Sequence, residues 1–248
     1  MQKLRTALVI LCALFFQTCG GQKSSFDFAI ALDPVWHSLE LSGRETALTA
    51  FTIELITAVG KIEKLTFAVY QKSYNDLVYG LQQQTYDAIC STMRPYLFFE
   101  KTYTFSELYL MTGPVLVVPK ELNNPLLSQL DGKIVGIIQG SNSALILEKY
   151  PQIIQRTYSS VPDVLQAVST TTIDAAVVNV LTAEAFTQNL FQNRLKIGSP
   201  PLTQEGLRLI SLQGPSSNLI FRFNRGLKKL KENGTYSELL KKWGFETG

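Results

Sequence analysis

Phe26-Asp27-Phe28-Ala29-Ile30-Ala31-Leu32 is a short apolar run broken only by Asp27, and its reading decides how the rest of the chain is organised. A run of this length and composition predicts a strand covered on both faces. Working outward, residues 51–59 carry Phe51, Leu55 and Val59 four apart, which predicts a helix. Residues 65–69 then read as a strand, 74–83 as a helix and 86–91 as a strand. The order βαβαβ implies a mostly parallel sheet with helices packed on it. A second series follows Lys120: strand 134–138, helices 143–150 and 161–169, strand 173–178 and helix 182–190. The expected fold class is therefore α/β, with two lobes.

Two extended apolar runs flank the second series, Gly113-Pro114-Val115-Leu116-Val117-Val118-Pro119 and Leu207-Arg208-Leu209-Ile210-Ser211-Leu212. They are expected to be paired crossings, by which the chain leaves the first lobe and returns to it. Helices over 218–232 and 235–243 would then rejoin the first lobe, giving 26–112 with 207–248 as lobe 1 and 113–206 as lobe 2. Ligands of such folds sit at the carboxyl ends of the strands, here between the lobes. Two antiparallel hinge strands permit closure.

The N-terminus has the layout of a signal peptide over residues 1–19: Lys3 and Arg5, then an apolar stretch over 7–16 broken by Cys12. That stretch is too short for a transmembrane helix, which needs ~20 apolar residues. The expectation is an exported, periplasmic protein. Phe16-Gln17-Thr18-Cys19 loosely resembles a lipoprotein processing box, so lipidation of Cys19, with 20–25 as a tether, stands beside ordinary cleavage near Gly20. Of the three cysteines only Cys90 falls in the folded part, so no internal disulfide is expected; after Tyr86-Asp87-Ala88-Ile89 it reads as a buried small hydrophobe.

Beyond residue 19 the chain holds 21 Lys and Arg against 20 Asp and Glu, a formal charge of +1. That balance offers no electrostatic footprint for nucleic acid, and Lys228, Lys229 and Lys231 read as a solvated helix face. Catalytic signals are sparse. There is one histidine, His37, no zinc-spaced His/Cys cluster, no Gly-x-Ser-x-Gly elbow and no Gly-rich phosphate loop. No metal or cofactor is expected. His37, Asp33 or Glu40 could still perform proton chemistry in a cleft, which keeps an enzymatic reading open.

Seven segments in order resemble one known family: Asp33-Pro34-Val35-Trp36, Phe51-Thr52-Ile53-Glu54-Leu55, Tyr86-Asp87-Ala88-Ile89, Phe105-Ser106, Gly132-Lys133-Ile134-Val135-Gly136-Ile137-Ile138-Gln139-Gly140-Ser141, Ile173-Asp174-Ala175-Ala176-Val177-Val178-Asn179, and 233–243. Together they are similar to the extracellular solute-binding proteins, family 3, of polar amino-acid ABC importers. The resemblance implies a two-lobed periplasmic-binding-protein type II fold with two hinge strands. It also implies a monomer that carries a small molecule to a membrane permease with its ATPase. The alternative on the same architecture is a periplasmic enzyme such as a cyclohexadienyl-type dehydratase. A receptor's sensing domain is disfavoured, since no signalling module follows Gly248.

The resemblance carries ligand-binding expectations onto Asp33, Trp36, Phe51, Ser91, Thr92, Arg94, Phe99, Gly140, Ser141, Asn142 and Asn179. Trp36 falls where relatives stack an aromatic on the ligand, the alternative being a tryptophan packed beneath its loop. Asp33 before Pro34 can hold a cation or shape a turn. The Gly140-Ser141-Asn142 turn would offer backbone N–H groups to an anion or simply cap a helix. Tyr236 and Trp243 sit at helical spacing beside Leu239 and Leu240 and read as core.

The departures from the family are informative. Relatives carry Thr-x-x-Arg, whose arginine grips the ligand α-carboxylate; here Tyr96 and Phe99 stand at those positions. The carboxylate that ends the Asp-Ala-Ala motif is replaced by Asn179. Ser91 and Thr92 persist, and Arg94 stands where relatives have Ser or Thr. The expected ligand is consequently a small polar or anionic solute, an amino acid or related compound, with preference for an anion lacking an obligatory α-ammonium.

Overall fold

The computed structural model describes residues 26–245 other than Ser38, Glu40, Ser42 and Pro215. The signal peptide, Cys19 and the tether lie outside the described residues. In chain order the first elements are β1 (Phe28–Leu32), α1 (Glu45–Glu63), β2 (Phe67–Gln71), α2 (Tyr74–Gln82), β3 (Ala88–Ser91), β4 (Tyr103–Phe105) and β5 (Leu110–Met111). β1 runs parallel to both β2 and β3, so its residues from Ala29 to Leu32 are buried by neighbours on each side and helices on the faces. Helix α1 buries Leu48, Phe51, Leu55, Ile56 and Val59 on one face. It starts well before the predicted position, with Glu45 placed favourably at the positive end of the helix dipole.

A second group follows: β6 (Pro114–Pro119), β7 (Ile134–Ile138), α3 (Ser143–Leu147), β8 (Ile154–Tyr158), α4 (Val161–Ser169), β9 (Ala175–Asn179), α5 (Val180–Gln188) and β10 (Leu195–Ile197). The chain ends in β11 (Gly206–Leu212), α6 (Ser217–Glu232) and α7 (Thr235–Trp243). Two sheets result, one ordered β2-β1-β3-β11-β4 with β5 on β11, the other β10-β6-β9-β7-β8. Each sheet with its helices forms a lobe.

Each apolar run lies inside one sheet rather than making up the crossing itself. β6 lies between β9 and β10 in the second sheet, and β11 lies between β3 and β4 in the first. Their continuous burial reflects those interior places: Val115 to Val118 are fully buried, as are Leu207, Leu209 and Ile210. The passages between sheets are the short stretches at their ends. Gly206 pairs with Met111, the Thr112 N–H donates to the Glu205 carbonyl at 2.9 Å, and the Leu202 N–H donates to the Pro114 carbonyl at 2.8 Å.

Helices α1, α6 and α7 close the first sheet with Leu55, Val59, Leu219, Phe223, Leu227 and Phe245 in one core. Buried Glu63 at the end of α1 is held by Arg225 of α6, whose Nε donates to its two oxygens at 3.0 and 3.1 Å. Those hydrogen bonds keep the carboxyl below its ordinary value despite burial. Helix α7 begins at Thr235, whose backbone N–H donates to the Asn233 side-chain oxygen at 3.0 Å. Cys90 is buried, and burial pushes its thiol up to about 12. No helix among the described residues is long and apolar enough to cross a membrane.

Candidate functional site

The ends of β3 and α2 on the first lobe and α3 on the second enclose a cavity of about 670 Å³. Its first-lobe wall carries Tyr74, Leu77, Val78, Ser91, Thr92, Met93, Arg94, Tyr96 and Phe99. Asn142, Leu145, Ile146 and Lys149 face them from the second lobe, and Thr203 and Glu205 come from the return passage. A smaller cavity of about 210 Å³ adjoins it, lined by Gly140, Ser141, Asn142, Ser143, Asn179 and Glu205 among others. Asn142 and Glu205 border both spaces.

Ser91, Thr92, Arg94, Phe99 and Asn142 thus meet in the large cavity, and Gly140, Ser141, Asn142 and Asn179 in the small one. Gly140 holds φ +77°, a left-handed conformation that turns β7 into α3 at no side-chain cost. The Ser141 hydroxyl at the small cavity and the Thr203 hydroxyl at the large one are buried with no hydrogen-bond partner among the described residues. Asn179 ends β9, donates from its amide to the Thr112 carbonyl at 2.8 Å, and accepts from the Leu181 N–H at 3.0 Å.

Three expected residues lie elsewhere. Trp36 is only 3% exposed and lines neither cavity; its indole N–H donates to Thr49 Oγ1 at 2.9 Å within the core. The stacking role is corrected to packing beneath the loop, because a hydrogen-bond partner and an apolar bed both exist inside the lobe. Phe51 is fully buried, with its ring edge-on to Phe245 at 5.6 Å and to Tyr236 at 6.5 Å. Asp33 is buried and spent locally. Its carboxylate accepts from the backbone of Val35 and His37 and faces His37 Nδ1 at 2.8 Å. Burial works against its charge, but the hydrogen bonds from His37 and Val35 prevail and hold the carboxyl below its usual value. Asp33 is a turn residue, and His37 lines neither cavity.

The sequence reading missed Glu205. It precedes the expected return strand and belongs to none of the segments that carry the resemblance, so nothing local marks it. In the fold its carboxylate forms an ion pair with Arg94, whose side chain is 40% exposed against 24% for Glu205. The expected acid, Asp33, is thus absent from the cleft and a different one stands there: Arg94 is already paired, and Glu205 lines the ligand space. Lys149, Tyr74 and the α3 face were also missed, since only the cleft geometry distinguishes them from ordinary helix-surface residues. Among the described residues no group of three or more His, Cys, Asp or Glu side chains could hold a metal ion.

Comparison with known proteins agrees with this architecture. Residues 28–247 match the bacterial extracellular solute-binding proteins, family 3. The chain is 24% identical to the arginine-binding extracellular protein ArtP of Bacillus subtilis (strain 168), over 98% of each chain. It is 23% identical to the histidine-binding periplasmic protein of Escherichia coli (strain K12), over 98% of this chain and 97% of that one. Among solved structures, the L-cystine solute receptor of Neisseria gonorrhoeae in its unliganded open conformation superposes with a TM-score of 0.71 at 17% identity, covering 87% of this chain and 91% of that one. Substrate-binding domain 2 of Lactococcus lactis GlnP in the open conformation gives a TM-score of 0.66 at 18% identity, covering 87% and 94%. The structural likenesses carry the fold, and the match over residues 28–247 carries the family. The chain belongs to the bacterial extracellular solute-binding proteins of family 3.

Proposed function

We propose that this protein captures an amino acid or a related small polar solute between its lobes and delivers it, chemically unchanged, to an ABC permease with its ATPase. The observation that carries the reading is the cavity of about 670 Å³, built from residues of both lobes together with the return passage. Ser91, Thr92, Arg94 and Phe99 form one jaw, and the Gly140 turn with Asn142 and Asn179 forms the other. Lobe 1 comprises 26–112 with 207–248 and lobe 2 comprises 113–206, and the protein works as a monomer in the periplasm. The names of the relatives, arginine- and histidine-binding proteins, support an amino-acid-like ligand.

The test is a thermal-shift panel of amino acids, organic acids and peptides, followed by small-angle scattering on the ligand that binds. Ligand should raise the unfolding temperature by several degrees at about 100 times its dissociation constant and shrink the radius of gyration as the lobes close. A ligand that binds without changing the radius, and whose affinity is untouched by substitution of Asn142, would overturn the cleft reading. Export with lipidation is proposed on Cys19. Wild type should fractionate with membranes and Cys19→Ser should be released or left unprocessed, whereas identical soluble behaviour of both would remove the anchor.

A further inference from the structure

The sequence lacks the family's arginine and carboxylate at 99 and 179, yet the fold brings an arginine and a carboxylate together between the same lobes. Arg94 follows β3 on the first lobe, and Glu205 arrives on the return passage; they form an ion pair on the wall of the large cavity. Glu205 also borders the small cavity beside Asn179 and Asn142. The hydroxyls of Ser141 and Thr203, one in each cavity, are buried and have no partner among the described residues. Unspent polar groups around a pair of opposite charges mark a subsite that a ligand with both charges would complete.

We propose that Arg94 and Glu205 together read the zwitterionic head of an α-amino acid with an uncharged, apolar side chain. The proposal rests on the cleft reading above and deepens it. An α-amino acid carries its carboxylate and ammonium on one carbon, so both can insert between the paired residues, the carboxylate toward Arg94 and the ammonium toward Glu205. Every charge then keeps an opposite neighbour. A plain anion would take Arg94 and leave Glu205 unpaired in a half-buried place, which weakens binding roughly tenfold or more. The side chain of the ligand meets Leu77, Val78, Met93, Phe99, Leu145 and Ile146 in the same cavity. Lys149 also lines it and, with Arg94, opposes the single acid Glu205, so a cationic side chain is disfavoured.

The experiment is calorimetry on the purified protein with matched probes. These are L-phenylalanine, L-leucine and L-methionine, each against its deaminated acid (3-phenylpropanoate, 4-methylpentanoate and 4-methylsulfanylbutanoate), with L-arginine as the cationic comparison. At least one of the three amino acids should bind roughly tenfold or more tightly than its deaminated partner and than L-arginine. Glu205→Gln should bring that amino acid and its partner to near-equal affinity, Glu205→Asp should retain the preference, and Arg94→Gln should weaken both probes. A structural role for Glu205 would lower all affinities together and leave the ratio alone. Deaminated acids binding as well as the amino acids, L-arginine binding best, or no binding by any of the three amino acids would each overturn the proposal. Because the wild-type ratios decide it, the result does not depend on a variant folding. Failure here with another solute still closing the lobes would leave the proposed function standing.

Discussion

Asn179 and Glu205 are tied to the two sides of a single residue: the Asn179 amide donates to the Thr112 carbonyl, and the Glu205 carbonyl accepts from the Thr112 N–H. An amide at 179 does here what an aspartate could not, since a carboxylate has no proton for the Thr112 carbonyl. Asn179→Asp should therefore keep the bond from the Leu181 N–H but lose the bond to the passage, and it sets a second carboxylate in the cavity that Glu205 borders. The expected cost is about 1–3 kcal/mol of stability at neutral pH, shrinking in acid, as read by urea denaturation at several pH values. Equal stability of the two proteins would show that the passage does not depend on the amide.

The burial of Trp36 separates stability from binding. Thr49→Val removes the acceptor of the indole N–H while nearly preserving volume, so it should destabilise the protein by about 1–3 kcal/mol. Ligand affinity should stay within about twofold. A large loss of affinity with little loss of stability would instead return Trp36 to the cleft.

Much of the fold was legible because burial and periodicity coincide. The strand 134–138, the helix 161–169 and the helix 235–243 fall where their apolar spacing puts them. β8 was not legible, because Ile154 to Thr157 are exposed on an edge strand and carry no alternating signal. β4, β5 and β10 are too short to show a period. Of the candidate site, the resemblance supplied Ser91, Thr92 and the Gly140 turn, and the fold sets them at strand ends along the two cavities. Glu205 escaped because its place is set by the crossing of two distant stretches, and Trp36 misled because a loop aromatic looks alike whether it faces inward or outward.

Close approach of the two passages gives a third expectation. A Cβ added to Gly206 would lie 2.3 Å from the Leu110 carbonyl oxygen, a backbone atom that cannot rotate aside. Gly206→Ala should push β5 from β11, cost about 1–3 kcal/mol and displace the neighbouring Glu205. Thermal unfolding and ligand titration should both register it; unchanged values in both would mean that the passages part without consequence.

Glu184 on α5 supplies a dependence on pH. Its side chain is almost wholly buried and neither carboxylate oxygen has a hydrogen-bond partner among the described residues. Burial pushes its pKa from 4.5 up to about 8, with Arg44 pulling the other way. The folded protein then retains a proton that the unfolded chain releases above its lower value, so this contribution is full in acid and is lost as pH rises through about 8. The loss amounts to about 4–5 kcal/mol at most. Glu184→Gln should flatten the decline between pH values of about 5 and 9, measured by chemical denaturation. An identical slope in the variant would assign the decline to other groups.

The place of β11 has a consequence for the order in which the molecule can be completed. It is the strand that joins β3 to β4 and also the partner of β5, yet it comes after every strand of the other sheet in the chain. During synthesis or passage across a membrane from the N-terminus, the β6 to β10 sheet has all its strands once residue 197 has emerged. β4 and β5 then still wait without a neighbour, and the earlier-made half of the protein is the later to close.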